Sequence, residues 1–254
     1  MTSPTPNYGP PAPEEPPRRR VGPMTFEEYL VFEDESDIRH EFIDGYAYPM
    51  EPTAMSGGTQ AHNQIIGNVH AQLWLRTRGT KCRMYDQSFK LQTPGGRTYY
   101  PDVMVSCAPP PSNDALYLDT PCLAVEVLSP STERNDFTDK RASYVEVPTL
   151  GAYLIVDTAW RAVYRHFRGD DGVWHQETIA TPDAVVPLPC PAGGSLTLDE
   201  IYEGVDLPAE PPERPRLRRV YEPAGEYVVT PGGRYEWVPY EGGGRDGVLV
   251  PEGA

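Results

Sequence analysis

The segment Cys122-Leu-Ala-Val-Glu-Val-Leu-Ser129 predicts a buried strand, because a single carboxylate interrupts an otherwise apolar run. A second carboxylate, Asp102, occupies a similar position in the segment Tyr99-Tyr-Pro-Asp-Val-Met-Val105. A carboxylate is costly to bury unless an opposite charge compensates it. The two segments therefore predict neighbouring strands whose acidic side chains, Asp102 and Glu126, share a cation.

A lysine follows the second strand, on the candidate helix 135–147. If the strands are neighbours, their carboxylates converge at one end of the sheet and the helix brings Lys140 towards them. Carboxylate oxygens suit magnesium or manganese, and a lysine beside them can hold a water and stabilise charge on a phosphate. An ion pair with Asp136, four residues earlier on the same helix, explains Lys140 adequately as well.

Further elements are predicted on both sides of this pair. Thr25 and Glu28 form a capping-box pattern, which predicts a short helix to about Glu33. Residues 39–49 are typical of a hairpin with Asp44-Gly45 as its turn, and the apolar periodicity of 59–78 predicts the longest helix. Further strands are expected at 82–92, 98–107, 122–128, 152–157, 162–168 and 173–180. A final short helix is expected at 196–202.

Composition changes at both ends of the chain. Residues 1–23 are rich in proline and predict a disordered arm, so the ordered domain is expected at 24–207. Residues 208–254 are interpreted as a linker followed by a small β or disordered tail. Because the acids and bases of the tail nearly balance, we expect it to serve structural packing, including packing in a homodimer, rather than nucleic-acid binding.

Charge, hydropathy and cysteine content exclude several classes of protein. The 254-residue chain has a formal net charge of −15, which argues against a generic nucleic-acid coat, although the stretch 76–97 carries six bases and one acid. No apolar run is long enough to span a membrane, and no signal core starts the chain. The four cysteines form no Cys-x-x-Cys pair, so neither a zinc site nor a disulfide framework is expected. Isolated thiols fit a reducing cytoplasm.

Five stretches, taken together and in order, carry a family likeness: Arg-His-Glu-Phe-Ile-Asp-Gly (39–45), Pro-Asp-Val-Met-Val (101–105), Val-Glu-Val-Leu-Ser-Pro-Ser-Thr (125–132), Asp-Phe-Thr-Asp-Lys (136–140) and Ala-Tyr-Leu-Ile-Val-Asp (152–157). With them, residues 25–205 resemble the "putative restriction endonuclease" family, a branch of the PD-(D/E)XK nuclease superfamily. The resemblance implies an α/β fold with a mixed central β-sheet flanked by helices. It also implies metal binding by Asp102 and Glu126 and a contributing carboxylate at Glu41.

One position departs from the superfamily pattern. Its usual lysine, two residues after the second carboxylate, would fall at Leu128, which cannot serve. In this branch the lysine is displaced to the next helix, where Lys140 matches.

The sequence thus predicts a metal-dependent endonuclease that hydrolyses DNA with magnesium or manganese. Glu41, Asp102, Glu126 and Lys140 are its candidate catalytic residues, and Asp102 and Glu126 its metal ligands. Glu41 could instead be a surface residue of the hairpin. His62 could face the metal or a phosphate, or simply pack at the helix surface. Two alternatives stay open: a non-catalytic interaction module that retains the nuclease fold, and a hydrolase of another phosphoester.

Overall fold

The computed structural model describes residues 20–50, 59–129 and 136–211, together with four strands between residues 218 and 251. The chain divides into two compact units, Met1–Ala209 and Glu210–Ala254. Each unit is described by itself below.

In the first unit, the helices among the described residues are α1 (Phe26–Asp34), α2 (Gln60–Thr77), α3 (Arg141–Tyr144) and α4 (Leu198–Ile201), and a π-helical turn, Asp136–Lys140, directly precedes α3. The strands are β1 (His40–Ile43), β2 (Tyr46–Pro49), β3 (Arg83–Asp86), β4 (Lys90–Gln92), β5 (Thr98–Tyr99), β6 (Val103–Ser106), β7 (Tyr117–Leu118), β8 (Leu123–Val127), β9 (Ala152–Val156), β10 (Val163–Arg168), β11 (Trp174–Ile179), β12 (Val185–Pro187) and β13 (Ser195–Thr197).

The central sheet has six strands in the order β11-β10-β9-β8-β6-β3. Strands β8 and β9 are parallel, and the other neighbours in this sheet are antiparallel. Every residue of β8 and β9 is buried, which is why both strands read as continuous apolar runs. The mixed α/β sheet predicted from sequence is confirmed.

The two faces of the central sheet pack against different partners. On one face, Val125 of β8 belongs to the same apolar cluster as Ile65 and Val69 of α2. On the other face, Ala124 clusters with Tyr144 of α3 and with Leu91 of β4. Because neighbouring residues of a strand point to opposite faces, Glu126 points to the second face, away from α2.

A second sheet, in the order β2-β1-β5-β4-β7, supplies part of that second face. The predicted hairpin β1–β2 is confirmed, with Asp44 and Gly45 at φ 51° and 86° in its two-residue turn. Both residues need positive φ in the turn type that matches the twist of a hairpin. The predicted capping box of α1 is also present: Glu28 N–H donates to the Thr25 hydroxyl, and Thr25 N–H donates to the Glu28 carboxylate.

Several predicted elements differ in detail. The segment 82–92 is not one strand, because Asp86 accepts hydrogen bonds from the Ser88 backbone and hydroxyl and so turns the chain from β3 into β4, in the other sheet. Strand β7 is not predicted at all. The expected final helix is a single turn, α4, capped by Thr197.

The boundary of the N-terminal arm is corrected. Residues 1–19 lie outside the described residues, but Val21 exchanges two backbone hydrogen bonds with Ala47 of β2, each at 2.9 Å. The folded region therefore begins before residue 24. In the second unit, β14 (Arg218–Glu222), β15 (Gly225–Thr230), β16 (Gly233–Pro239) and β17 (Gly247–Pro251) pair in sequence order as an antiparallel sheet.

The expectation of four isolated thiols is wrong. The structure pairs Cys82 with Cys107 and Cys122 with Cys190 as disulfides. The partners are 25 and 68 residues apart, so local spacing does not reveal them. The inference of a reducing cytoplasm from unpaired thiols therefore loses its basis. Among the described residues, no helix has the length and apolar character needed to cross a membrane.

Candidate metal and catalytic centre

The two strand carboxylates come together at one end of the central sheet. Val103 of β6 lies opposite Val125 of β8, so Asp102 and Glu126 each lie one residue further towards the same edge. The Val127 backbone N–H donates to Asp102 Oδ2 at 2.7 Å, which fixes the Asp102 carboxylate across the strand end. The sequence prediction of converging carboxylates thus agrees with the geometry.

Lys140 lies inside this group rather than on the surface. Its Nζ atom is 3.0 Å from Glu126 Oε1 and 2.9 Å from Asp136 Oδ1, and only 3% of the residue is exposed. The π-helical turn carries both Asp136 and Lys140 and directs them towards the sheet. The ion pair with Asp136, which the sequence offers as an alternative explanation for Lys140, is therefore part of the same cluster.

Glu41 joins the cluster from the second sheet. It lies in β1 and is 6% exposed, and its Oε1 atom is 3.9 Å from Lys140 Nζ. The reading of Glu41 as a surface residue of the hairpin is wrong. Leu128, where the superfamily pattern has its lysine, is buried in the apolar cluster of the second face. Lys140 reaches Glu126 from the next helix instead.

The electrostatics of the cluster are unbalanced. Carboxylates of Glu41, Glu126 and Asp136 lie within 3.9 Å of Lys140 Nζ, and Asp102 adds a fourth acidic group at the same end of the sheet. Burial raises the pKa of Glu126 well above its usual range, and the charge of Lys140 only partly opposes this. Burial also raises the pKa of Asp102, against the Val127 hydrogen bond and Lys140.

The lysine responds in the opposite sense. Burial alone would lower the pKa of Lys140, but the carboxylates of Glu126, Asp136 and Glu41 raise it well above its usual range. Lys140 is thus held as a cation, and the surplus of buried acidic groups favours the addition of a further positive charge. Oxygen donors gathered in this way fit a hard divalent cation.

Two tyrosine hydroxyls hold parts of the carboxylate cluster in place by hydrogen bonds. The Tyr144 hydroxyl donates to Glu126 Oε1 at 3.0 Å, and the Tyr153 hydroxyl donates to the Asp136 carbonyl at 3.1 Å. Their rings meet edge to face, with centroids 5.0 Å apart. Sequence analysis missed Tyr144 as part of the site. Its position four residues after Lys140, on the same helical face, is the signal that could have found it.

His62 approaches from the other side of the sheet. It lies in the first turn of α2, and its Nε2 atom is 3.1 Å from the Val127 carbonyl oxygen. The same Val127 donates its N–H to Asp102, so His62 contacts the backbone that holds a carboxylate of the cluster. Among the described residues, the His62 ring makes its hydrogen bond to the backbone and not to an acidic side chain.

Comparison with known proteins assigns the chain to a family. The family model described as "Uma2: Putative restriction endonuclease" matches residues 26–199, more than half of the chain. The chain belongs to the Uma2 family. An uncharacterized protein of Synechocystis sp. is 33% identical over 180 residues, which cover 70% of this chain and 91% of that protein.

The fold is shared with a solved structure as well. A chain from Anabaena variabilis, described as a "putative nuclease", superposes with a TM-score of 0.57 and covers 70% of this chain and 97% of its own length. At 18% identity this likeness concerns the fold alone. Membership in the Uma2 family, whose model is described as a "putative restriction endonuclease", indicates a nuclease of that type, a class that generally uses divalent metal ions.

Proposed function

We propose that this Uma2 protein is an endonuclease that hydrolyses phosphodiester bonds in DNA with magnesium or manganese. The observation that carries the proposal is Lys140, a buried cation within 3.0 Å of Glu126 at the end of the sheet where Asp102 also lies. A non-catalytic module that merely kept the nuclease fold would have no need of a buried lysine among four acidic groups, because such a cluster is costly to maintain.

Asp102 and Glu126 would hold the metal, and Glu41 would complete or orient the group. When bound, a divalent ion lowers the pKa of water and offsets negative charge on the phosphate. Lys140, kept protonated by its acidic neighbours, would hold the attacking water and donate to the phosphate oxygen that gains charge. Asp136 and the Tyr144 hydroxyl would fix the positions of Lys140 and Glu126, respectively.

DNA rather than another phosphoester is the proposed substrate because of the family to which the chain belongs, and not because of its charge. The net charge of −15 opposes DNA overall, so contact with the strand must be local. The cluster is equally able to act on a small phosphodiester, and only the substrate test separates the two cases.

A cleavage assay tests the proposal. Supercoiled, linear and single-stranded DNA would be incubated with the purified chain in magnesium, manganese or EDTA. We expect cleavage in either metal, none in EDTA, and a loss of roughly 10³-fold or more in Glu126→Gln. The matched control, Glu203→Gln, changes an exposed acid in the turn after α4 and is expected to cleave normally.

Three results would contradict the proposal. Unchanged cleavage by Glu126→Gln would remove Glu126 from the site. DNA binding without cleavage in either metal would favour the interaction module. Hydrolysis of bis(p-nitrophenyl) phosphate with no cleavage of any DNA form would favour another phosphoester as substrate.

A further inference from the structure

All four cysteines of the chain meet at the end of the central sheet opposite the carboxylates. Cys82 directly precedes β3, Cys107 directly follows β6, and Cys122 directly precedes β8. Cys190 arrives from the connection between β12 and β13. Four separate segments of the chain therefore deliver one sulfur each to the same place.

The two disulfides form one group of sulfur atoms. The Sγ atoms of Cys107 and Cys122, which belong to different disulfides, are 3.7 Å apart. The sulfurs of Cys107, Cys122 and Cys190 all lie within 4.8 Å of one another, and Cys82 is bonded to Cys107. We propose that, when its four thiols are reduced, this cluster binds one soft divalent cation of the zinc class.

The spacing of the sulfurs suits that ion. Zinc bound tetrahedrally by thiolates at about 2.3 Å requires sulfurs about 3.8 Å apart. The pair Cys107 and Cys122 already has this separation. Opening a disulfide must move its sulfurs from about 2.0 Å to about 3.8 Å apart, which is about 1 Å for each atom and within the reach of side-chain rotation.

A dithiol reductant supplies the electrons and protons that convert the two disulfides into four thiols. Each disulfide accepts two electrons and two protons from one dithiol, which closes into its own cyclic disulfide, so two dithiols yield four cysteine thiols. A zinc ion then replaces the four thiol protons, which are released to solvent because thiolates are the ligands. Cys107 and Cys122 are only partly buried, so solvent, reductant and metal can reach the cluster.

This site is distinct from the carboxylate cluster and does not depend on the proposed function. Along β8, Cys122 and Glu126 are four residues apart, or about 13 Å in an extended strand. Sulfur ligands select zinc-like ions, whereas carboxylates select magnesium and manganese. The two ends of the sheet can therefore be loaded separately.

Cobalt substitution tests the inference on the full chain. The protein would be reduced with a dithiol, freed of reductant without oxygen, and titrated with Co²⁺ and then with Zn²⁺. We expect four reactive thiols before metal, near-ultraviolet sulfur-to-cobalt bands that correspond to one sulfur-bound cobalt per chain, and loss of those bands when zinc is added. Zinc should also protect the four thiols from alkylation, a measurement that needs no variant.

Variants locate the site. Cys190→Ser should weaken zinc binding by roughly 100-fold, while Glu126→Gln should leave the cobalt spectrum unchanged. The inference is overturned if the disulfides resist the reductant, if the reduced chain gives no sulfur-to-cobalt band, or if zinc leaves alkylation unchanged. It is also overturned if Glu126→Gln, and not Cys190→Ser, removes the bound cobalt, since the ion would then belong to the carboxylate end.

Discussion

The two ends of the central sheet differ in the donor atoms that they gather, although β6 and β8 build both. At one end these strands carry Asp102 and Glu126, and a helical turn adds Lys140. At the other end the same strands are bounded by Cys107 and Cys122. The first end collects hard oxygen donors around a buried cation, and the second collects soft sulfur atoms.

The two ends differ because a buried carboxylate and a disulfide need different surroundings. A buried carboxylate must be compensated, so the first end requires Lys140 and hydrogen bonds from Val127 and Tyr144. A disulfide carries no charge and needs no such partners. The carboxylate end should therefore respond strongly to the loss of a charge, and the cysteine end to the loss of a covalent link.

Removing the lysine should lower both the cleavage rate and the stability of the carboxylate end. Lys140→Met leaves buried carboxylates without their cation, so we expect DNA cleavage to fall by roughly 10²–10³-fold. We also expect the free energy of unfolding, measured in urea without metal, to fall by about 3 kcal/mol. Magnesium should restore part of this stability. The control Lys81→Met, at an exposed lysine next to Cys82, should alter neither quantity.

At the cysteine end, the change that matches removal of the lysine is the loss of a disulfide. In the oxidised protein, Cys122→Ser with Cys190→Ser opens a loop between residues 68 apart, and we expect a loss of about 3 kcal/mol in urea. Cys82→Ser with Cys107→Ser opens a loop of 25 and should cost less. Both double variants should cleave DNA at the normal rate where they are folded. A loss of cleavage would show that the two ends are coupled.

The ends should also differ in their response to pH. The pKa of Glu126 is raised on folding, so the folded state retains a proton that the unfolded state has lost. The metal-free protein should therefore lose stability as pH rises above the ordinary value of 4.5, by up to about 1.4 kcal/mol for each pH unit per proton.

A matched variant isolates this effect. Burial lowers the pKa of His166 to about 4, and this histidine contributes equally in the native chain and in Glu126→Gln. In urea unfolding from pH 4.5 to 8, the native chain should lose stability relative to Glu126→Gln as the pH rises. An equal slope in both proteins would contradict the raised pKa.

The smallest effect is expected at the tyrosine beneath the carboxylates. Tyr144→Phe removes the hydroxyl that donates to Glu126 Oε1 but keeps the ring between Tyr99 and Tyr153. We expect a loss of about 1 kcal/mol of stability and about tenfold in cleavage. Urea unfolding measures the first and the DNA cleavage assay the second. An activity equal to that of the native chain would show that Glu126 needs no orienting hydrogen bond.

Local patterns were enough to predict much of the fold. The cap at Thr25, the turn at Asp44-Gly45 and the helix α2 each depend on residues close in sequence, and each is confirmed. The segment 82–92 is predicted as one strand but forms two, because the polar turn after Asp86 separates Met84 and Tyr85 from Phe89 and Leu91. Strand β7 has two residues and shows no periodicity.

The sequence predicts the carboxylate end of the sheet but not the cysteine end. Glu126 stands out because a charge in an apolar strand is an anomaly. Cys122 in the same strand segment is no anomaly, and its partner is 68 residues away. Asp136 was seen only as a helical partner of Lys140, because nothing local shows that the turn faces the sheet.

Calorimetric titration of Mn²⁺ into the oxidised chain tests the central claim most directly, since in that state the sulfurs are occupied by disulfides. We expect about one or two ions to bind per chain, Glu126→Gln to abolish or greatly weaken binding, and Cys190→Ser to retain it. Absence of binding by the native chain, or equal binding by Glu126→Gln, would contradict a metal site at Asp102 and Glu126.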